Sequence, residues 1–304
     1  MQLSEGARVI ELPARRARRP FEAVVESLRP RQWSKNLLLF AGLVFAAKLG
    51  DWTRWVEAGG AFTAYCAASS AAYLLNDLLD APHDRVHPVK RYRPIARGEV
   101  SPGRVGALAC VLALGALGAA AALGVWSLVF MLAFLGLQGG YTLGLKHLVL
   151  VDVLAIAALF VIRAAAGAAA VHVRISPWLL LCTGMLALFL GLAKRRGELV
   201  LVGAEETPGR PVLEGYSLEL VDQLVAVAAA CTLIAYSLYT FTVPDSKAMM
   251  VTIPIAVFGV FRYLLLIHRH DLGEEPESVL VSDAPILASV ALWAVTAVVV
   301  LLVT

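Results

Sequence analysis

The chain has 304 residues, 59% of them hydrophobic and only 16% charged, with 26 Lys and Arg against 23 Asp and Glu. Soluble globular domains average about 25% charged residues, so this deficit excludes an ordinary soluble enzyme. The charge-free stretches from Val105 to Leu145 and from Ala284 to Thr304 exceed the ~18 apolar residues of a membrane-spanning helix, and their unbroken Ala, Leu and Val runs exclude the alternating pattern of barrel strands.

The expected fold class is therefore all-α, a polytopic membrane protein. In chain order, Met1 to Pro20 carries Arg8, Arg15, Arg16, Arg18 and Arg19 with no apolar core or cleavage site behind them, unlike a signal peptide. Residues 1–28 read as a basic cytosolic arm and 29–304 as one transmembrane catalytic domain. Nine spans account for the hydropathy: 36–50, 55–76, 105–123, 125–143, 149–171, 177–193, 221–242, 249–267 and 284–303. The first is the weakest, since only Leu37 to Ala47 is continuously apolar before Lys48. Trp33, Trp52 and Trp55 are candidate anchors for its ends.

With the N-terminus inside, the inner segments hold 21 Lys and Arg and the outer segments four (Lys48, Arg54, Arg174 and Lys247). Basic residues near span ends stay in the cytoplasm, so this bias sets the orientation. The four cysteines, Cys66, Cys110, Cys182 and Cys231, fall in predicted spans with no CxxC pair and read as small packing residues.

The second span ends in the most informative stretch of the chain. Asn76, Asp80 and Asp84 stack at i, i+4 and i+8 on one helix face, with Asp77 one step around, provided the helix survives Pro82. Three carboxylates and an amide would then converge. Hard oxygen ligands at this density suit Mg²⁺ bridging to phosphate oxygens. Lys90, Arg91 and Arg93 follow and complement a polyanionic ligand, arginine by bidentate contact and lysine as a point charge. Tyr141, Lys146, Asp152 and the run Lys194-Arg195-Arg196-Gly197-Glu198 would face the same cytosolic mouth.

Asn76-Asp77-x-x-Asp80-x-x-x-Asp84-Arg85 resembles the first aspartate-rich motif of the UbiA superfamily of intramembrane prenyltransferases, which have nine helices around a central cavity. Arg29-Pro30-Arg31-Gln32-Trp33-x-Lys35-Asn36, the continuation Asp84-Arg85-x-His87-Pro88-x-Lys90-Arg91-x-Arg93-Pro94-Ile95-Ala96, and Lys194-Arg195-Arg196-x-Glu198-Leu199 look like its decaprenyl-phosphate phosphoribosyltransferase branch. That resemblance implies transfer from phosphoribosyl pyrophosphate (PRPP) to a polyprenyl phosphate, giving a lipid-linked 5-phosphoribose and pyrophosphate. It implies Mg²⁺ as cofactor, held by Asp77, Asp80 and Asp84 with Asn76 as a neutral ligand. Lys35, Lys90, Arg91, Arg93, Lys146, Lys194 and Arg195 would bind substrate phosphates, Tyr141 would donate to a phosphate oxygen, and Asp152 or Glu198 would take ribose hydroxyls or support a metal. Asp77 or Asp152 would steady an oxocarbenium-like ribosyl centre. The resemblance further implies a bacterial-type inner membrane with the site facing the cytoplasm, and cell-wall biosynthesis as setting. Some relatives are homotrimers, and no sequence feature decides oligomeric state. No nucleic-acid partner is expected.

Superfamily members that use prenyl diphosphates usually carry a second DxxxD motif after the sixth helix. Here the acids of that loop, Glu198, Glu205, Glu206, Glu214, Glu219 and Asp222, make no such pair, and its start is basic. This favours PRPP over the alternative, transfer of a prenyl group to an aromatic acceptor. A transporter would concentrate charges near the midplane rather than at one surface.

Arg163, mid-span, is either a packing residue or a cavity residue, because an unpaired intramembrane charge costs at least ~2.5 kcal/mol. His83 and His87 read as neighbours of the site rather than Mg²⁺ ligands. Ala164 to Ala170 reads as a packing stripe, and His268 to Glu277 as a solvated connection.

Overall fold

The computed structural model describes residues 20–46, 48, 50–86, 90–205, 211–242, 247–269 and 282–303. Residues 1–19 of the arm, His87, and residues 270–277 of the last connection lie outside the described residues. Ten α-helices and no strands occur among the described residues: α1 (Pro20–Ser27), α2 (Ala41–Phe45), α3 (Trp52–Asp84), α4 (Pro102–Leu123), α5 (Val125–Leu143), α6 (Val151–Ala170), α7 (Pro177–Glu205), α8 (Leu218–Thr242), α9 (Ile253–Arg269) and α10 (Ala284–Val303).

Seven helical segments are long and apolar enough to cross a membrane: Pro102–Leu123, Val125–Leu143, Val151–Ala170, Pro177–Leu201, Leu218–Thr242, Lys247–Arg269 and Ala284–Val303. They coincide with the third to ninth expected spans. The first expected span takes another form, a 3-10 helix over Pro30–Phe40 followed by the five residues of α2. Irregular backbone at membrane depth is tolerated only where protein covers it. Cover comes from α3 and α6, against which this segment packs, with Asn36, Leu39 and Leu43 fully buried. Gly167 permits that approach, since a Cβ there would stand 2.1 Å from the Leu39 carbonyl oxygen.

The second expected span is the middle of α3, a 33-residue helix capped by the Asp51 side chain, which accepts from the Thr53 N–H at 3.0 Å. It runs through Pro82 to Asp84, so the acidic motif is helical throughout.

Two apolar cores meet along α6. Leu39, Tyr65, Met131, Phe134 and Leu159 join the 3-10 segment to α3, α5 and α6, while Val153, Phe189, Leu192, Val225, Tyr263 and Ile286 join α6 to α7, α8, α9 and α10. A third cluster seats Ala23 of α1 and Ile95 against Ala71, Leu74 and Val105. Arg93 between α3 and α4 and Lys146 between α5 and α6 both reach the acidic end of α3, and Tyr216 between α7 and α8 reaches Asp152 at the start of α6.

Candidate active site

The last turns of α3 carry the acids, and cations from three other segments reach them. The Asn76 amide donates to Asp80 Oδ2 at 3.0 Å, the i, i+4 contact expected of the helix face. Lys146, in the 3-10 turn Leu145–His147, places Nζ 3.0 Å from Asp80 Oδ1 and 3.3 Å from Oδ2. Arg29 donates to Asp77 Oδ1 at 2.6 Å, and Arg93 donates from one nitrogen to Asp77 Oδ1 at 3.1 Å and Asp84 Oδ2 at 2.7 Å.

The expected convergence of three carboxylates on one point is corrected by this geometry. Among the described residues no three acidic, histidine or cysteine side chains stand close enough to cage a metal. Like charges on one helix face repel, and each finds a lower-energy position against a cation: Asp77 and Asp84 share Arg93, whereas Asp80 turns to Lys146.

A second cluster is buried. Arg195 Nε donates to Asp152 Oδ2 at 2.6 Å, with the arginine 1% and the aspartate 0% exposed. Arg195 also bonds Glu198, one turn along α7, and reaches the Tyr141 hydroxyl at 3.4 Å. The second oxygen of Asp152 accepts from the Tyr216 hydroxyl at 2.7 Å, and Tyr216 in turn accepts from the Leu150 N–H at 2.7 Å. Burial, followed by the bond to the Asp152 carboxylate, pushes the Tyr216 phenol up to about 12. It therefore stays a donor throughout the neutral range. The two clusters are linked by the segment 141–152, which supplies Tyr141, Lys146 and Asp152.

Other expected residues lie on the same segments. Lys35 is half-buried on the 3-10 helix, Lys90 is half-buried in the turn Lys90–Tyr92, and Lys194 is half-buried on α7. Arg91 is exposed, its guanidinium 5.0 Å from the Tyr92 ring. Arg196 turns away to Asp222 at 2.7 Å and the Ile267 carbonyl at 2.6 Å, tying α7 to α8 and α9.

Two site residues were given no role by the sequence. Arg29 has left-handed backbone angles, φ 53° and ψ 58°, a strained state that clusters at functional sites. Its guanidinium lies over the Tyr73 ring at 4.9 Å while gripping Asp77. The Arg29-Pro30-Arg31 stretch of the family-like motif was the available signal. Tyr216 had none, being a lone tyrosine in a connection.

Arg163 belongs to neither cluster. Its Nε donates to Asn36 Oδ1 at 2.9 Å and its Nη1 to the Leu159 carbonyl at 3.1 Å, between the rings of Phe134 and Phe160 at 4.7 and 5.3 Å. Asn36 also donates to Cys66 Sγ at 3.4 Å. The arginine thus ties the irregular first segment to α6, which is the packing reading of this charge.

Carboxylates and cations thus gather at one end of a bundle whose helices are long and apolar enough to cross a membrane. A model of the UbiA prenyltransferase family matches residues 37–282, and the chain belongs to that family. It is 31% identical to the decaprenyl-phosphate phosphoribosyltransferase of Mycolicibacterium smegmatis over 86% of each chain. It is also 31% identical to the enzyme of that name from Mycobacterium tuberculosis, over 90% of this chain and 92% of the other. Among solved structures, a UbiA homolog from Archaeoglobus fulgidus bound to DMAPP and Mg²⁺ matches with a TM-score of 0.71 at 18% identity, covering 93% of this chain and all of that one. The likeness is one of fold.

Proposed function

We propose that the protein transfers 5-phosphoribose from PRPP to a polyprenyl phosphate of decaprenyl type and releases pyrophosphate. The observation that carries this reading is the interleaving of Asp77, Asp80 and Asp84 with Arg29, Arg93 and Lys146, in a chain related throughout to enzymes named for that reaction. A donor with phosphates at both ends of a ribose needs more cations than a prenyl diphosphate does, and the basic start of the α7–α8 connection fits it.

Magnesium suits the donor set. Carboxylate and amide oxygens are hard ligands, and Mg²⁺ ordinarily takes one or two carboxylates together with phosphates and water, so a three-acid cage is not required. One or two of Asp77, Asp80 and Asp84 would hold it, with Asn76 positioning Asp80, and when bound it would neutralise charge growing on the departing pyrophosphate.

The remaining steps belong to the protein's own groups. Arg93 and Lys146 release their carboxylates and take phosphate oxygens, with Arg29, Lys35, Lys90, Arg91 and Lys194 as further cations of the same mouth and buried Arg195 as the fixed charge behind them. Asp152, fully buried with both oxygens engaged, holds Arg195 in place rather than meeting substrate, and Glu198 offers an acceptor to a ribose hydroxyl. An oxygen of the acceptor phosphate attacks the ribosyl C1 as the bond from C1 to pyrophosphate breaks. That oxygen is already ionised at neutral pH, so no general base is needed, and catalysis consists of positioning and electrostatics.

The topology proposed with this chemistry has nine crossings, the 3-10 segment with α2 and the middle of α3 joining the seven apolar segments. The N-terminus, the basic arm 1–28 and the site would face the cytoplasm of a bacterial-type inner membrane, a reading supported by the bias of 21 inner to four outer basic residues. The test is purified protein with labelled PRPP, a polyprenyl phosphate and Mg²⁺, scored for label entering the lipid phase. No transfer from PRPP, with transfer instead from a prenyl diphosphate to an aromatic acceptor, overturns the reading.

A further inference from the structure

Tyr216 lies between the 3-10 turn Pro211–Gly215 and α8, in none of the motifs, yet it is 6% exposed and its hydroxyl joins two segments of the site. The oxygen accepts from the Leu150 N–H and donates to Asp152 Oδ1, each at 2.7 Å. Leu150 has φ 65° and ψ −37°, a strained conformation for a residue with a side chain that persists only where surrounding contacts fix it. The Tyr216 bond is such a contact. Leu150 also closes the segment that carries Lys146, and Asp152 is the carboxylate that holds Arg195. The turn sits directly on this segment, because a Cβ at Gly215 would stand 2.4 Å from Val149 Cγ2.

We propose that Tyr216 is a positioning residue: by clamping Leu150 and Asp152 through one oxygen, it fixes Lys146 and Arg195 relative to each other and so sets the affinity of the site for a diphosphate group. The ring itself packs with Val153, Phe189 and Leu192, so Tyr216→Phe keeps the packing and removes only the hydroxyl. Two polar groups then lose their partner together. The identity of the ligand rests on the proposed function, whereas the clamp rests on hydrogen bonds alone.

The experiment titrates inorganic pyrophosphate with Mg²⁺ into full-length protein in detergent, by calorimetry, for the wild type, Y216F, D152N and the double variant. Y216F is expected to raise the dissociation constant about tenfold. The double variant is expected to bind more weakly than D152N, but by a smaller factor than Y216F costs alone, because the Asp152 arm of the clamp is already lost and only the Leu150 arm remains. An unchanged constant in Y216F, additive losses in the double variant, or a wild type that does not bind pyrophosphate each overturns the proposal. Should Y216F not fold, hydrogen exchange at the wild-type Leu150 amide decides: protection supports the clamp and rapid exchange overturns it. A wild type that binds pyrophosphate yet fails to move label from PRPP would sink the proposed function and leave the clamp standing.

Discussion

The end of α3 and the Asp152–Arg195 knot use the same residue types in opposite ways. At α3 each pair has a partly exposed member, the Asp80 side chain at 32%, Arg93 at 28% and Arg29 at 27%, although Asp77 and Asp84 themselves are at 5% and 6%. In the knot Asp152 and Arg195 are at 0% and 1%. Partly hydrated ion pairs contribute about 0–1 kcal/mol and re-form with new partners at little cost. A buried pair is different, since removing one member strands the other charge in a medium that cannot solvate it. Exchangeable pairs suit a place where substrate phosphates must replace protein carboxylates, and a fixed pair suits the frame that holds those groups in register.

The comparison breaks most visibly at Arg195. Replacing it with Met keeps much of the volume but strands Asp152, and the fold should lose about 3–5 kcal/mol, read as a large drop in the unfolding midpoint in detergent. Asp80→Asn should do the reverse. Label transfer from PRPP falls at least about a hundredfold, about 2.7 kcal/mol of barrier, while the unfolding free energy moves by less than about 1 kcal/mol. If Asp80→Asn unfolds the protein as Arg195→Met does, the two regions are one structural network and the contrast is wrong.

Periodicity made the α3 site legible before any coordinates: charges four residues apart share a helix face, and Asn76 and Asp80 meet as that rule requires. What it could not supply was the partners. Arg29, Arg93 and Lys146 lie 48, 16 and 66 residues from the carboxylates they bind, and a one-dimensional pattern carries no information on which cation turns to which acid. The seven apolar spans were legible for the same local reason, whereas the first segment was not, because its 3-10 form depends on contacts with α6 rather than on its own hydropathy. Gly167→Ala tests that dependence. The added methyl meets the Leu39 carbonyl, backbone that cannot rotate aside, so a loss of about 1–3 kcal/mol is expected, with activity falling only as far as folded protein does.

The smallest effect is expected at a third ion pair, far from both clusters in sequence. Arg262 on α9 donates to both oxygens of Asp283, at 2.8 and 3.3 Å, and Asp283 Oδ1 also accepts from the Ile286 N–H at 3.0 Å, capping α10. The hydrogen bond from Arg262 holds the Asp283 carboxyl below its ordinary value of 3.8. A carboxylate lowered by folding stabilises the native state above the unfolded value, and that contribution disappears as pH falls through the lowered one. Asp283→Asn keeps an oxygen for the cap and removes the charge, so the variant should melt slightly below the wild type at neutral pH, and the gap should close as pH drops below 3.8. Added salt should narrow the gap at neutral pH as well, since a partly exposed pair is partly screened. A gap that survives in acid would mean that this aspartate acts through shape rather than charge, which would place it with the buried knot instead of the exchangeable pairs.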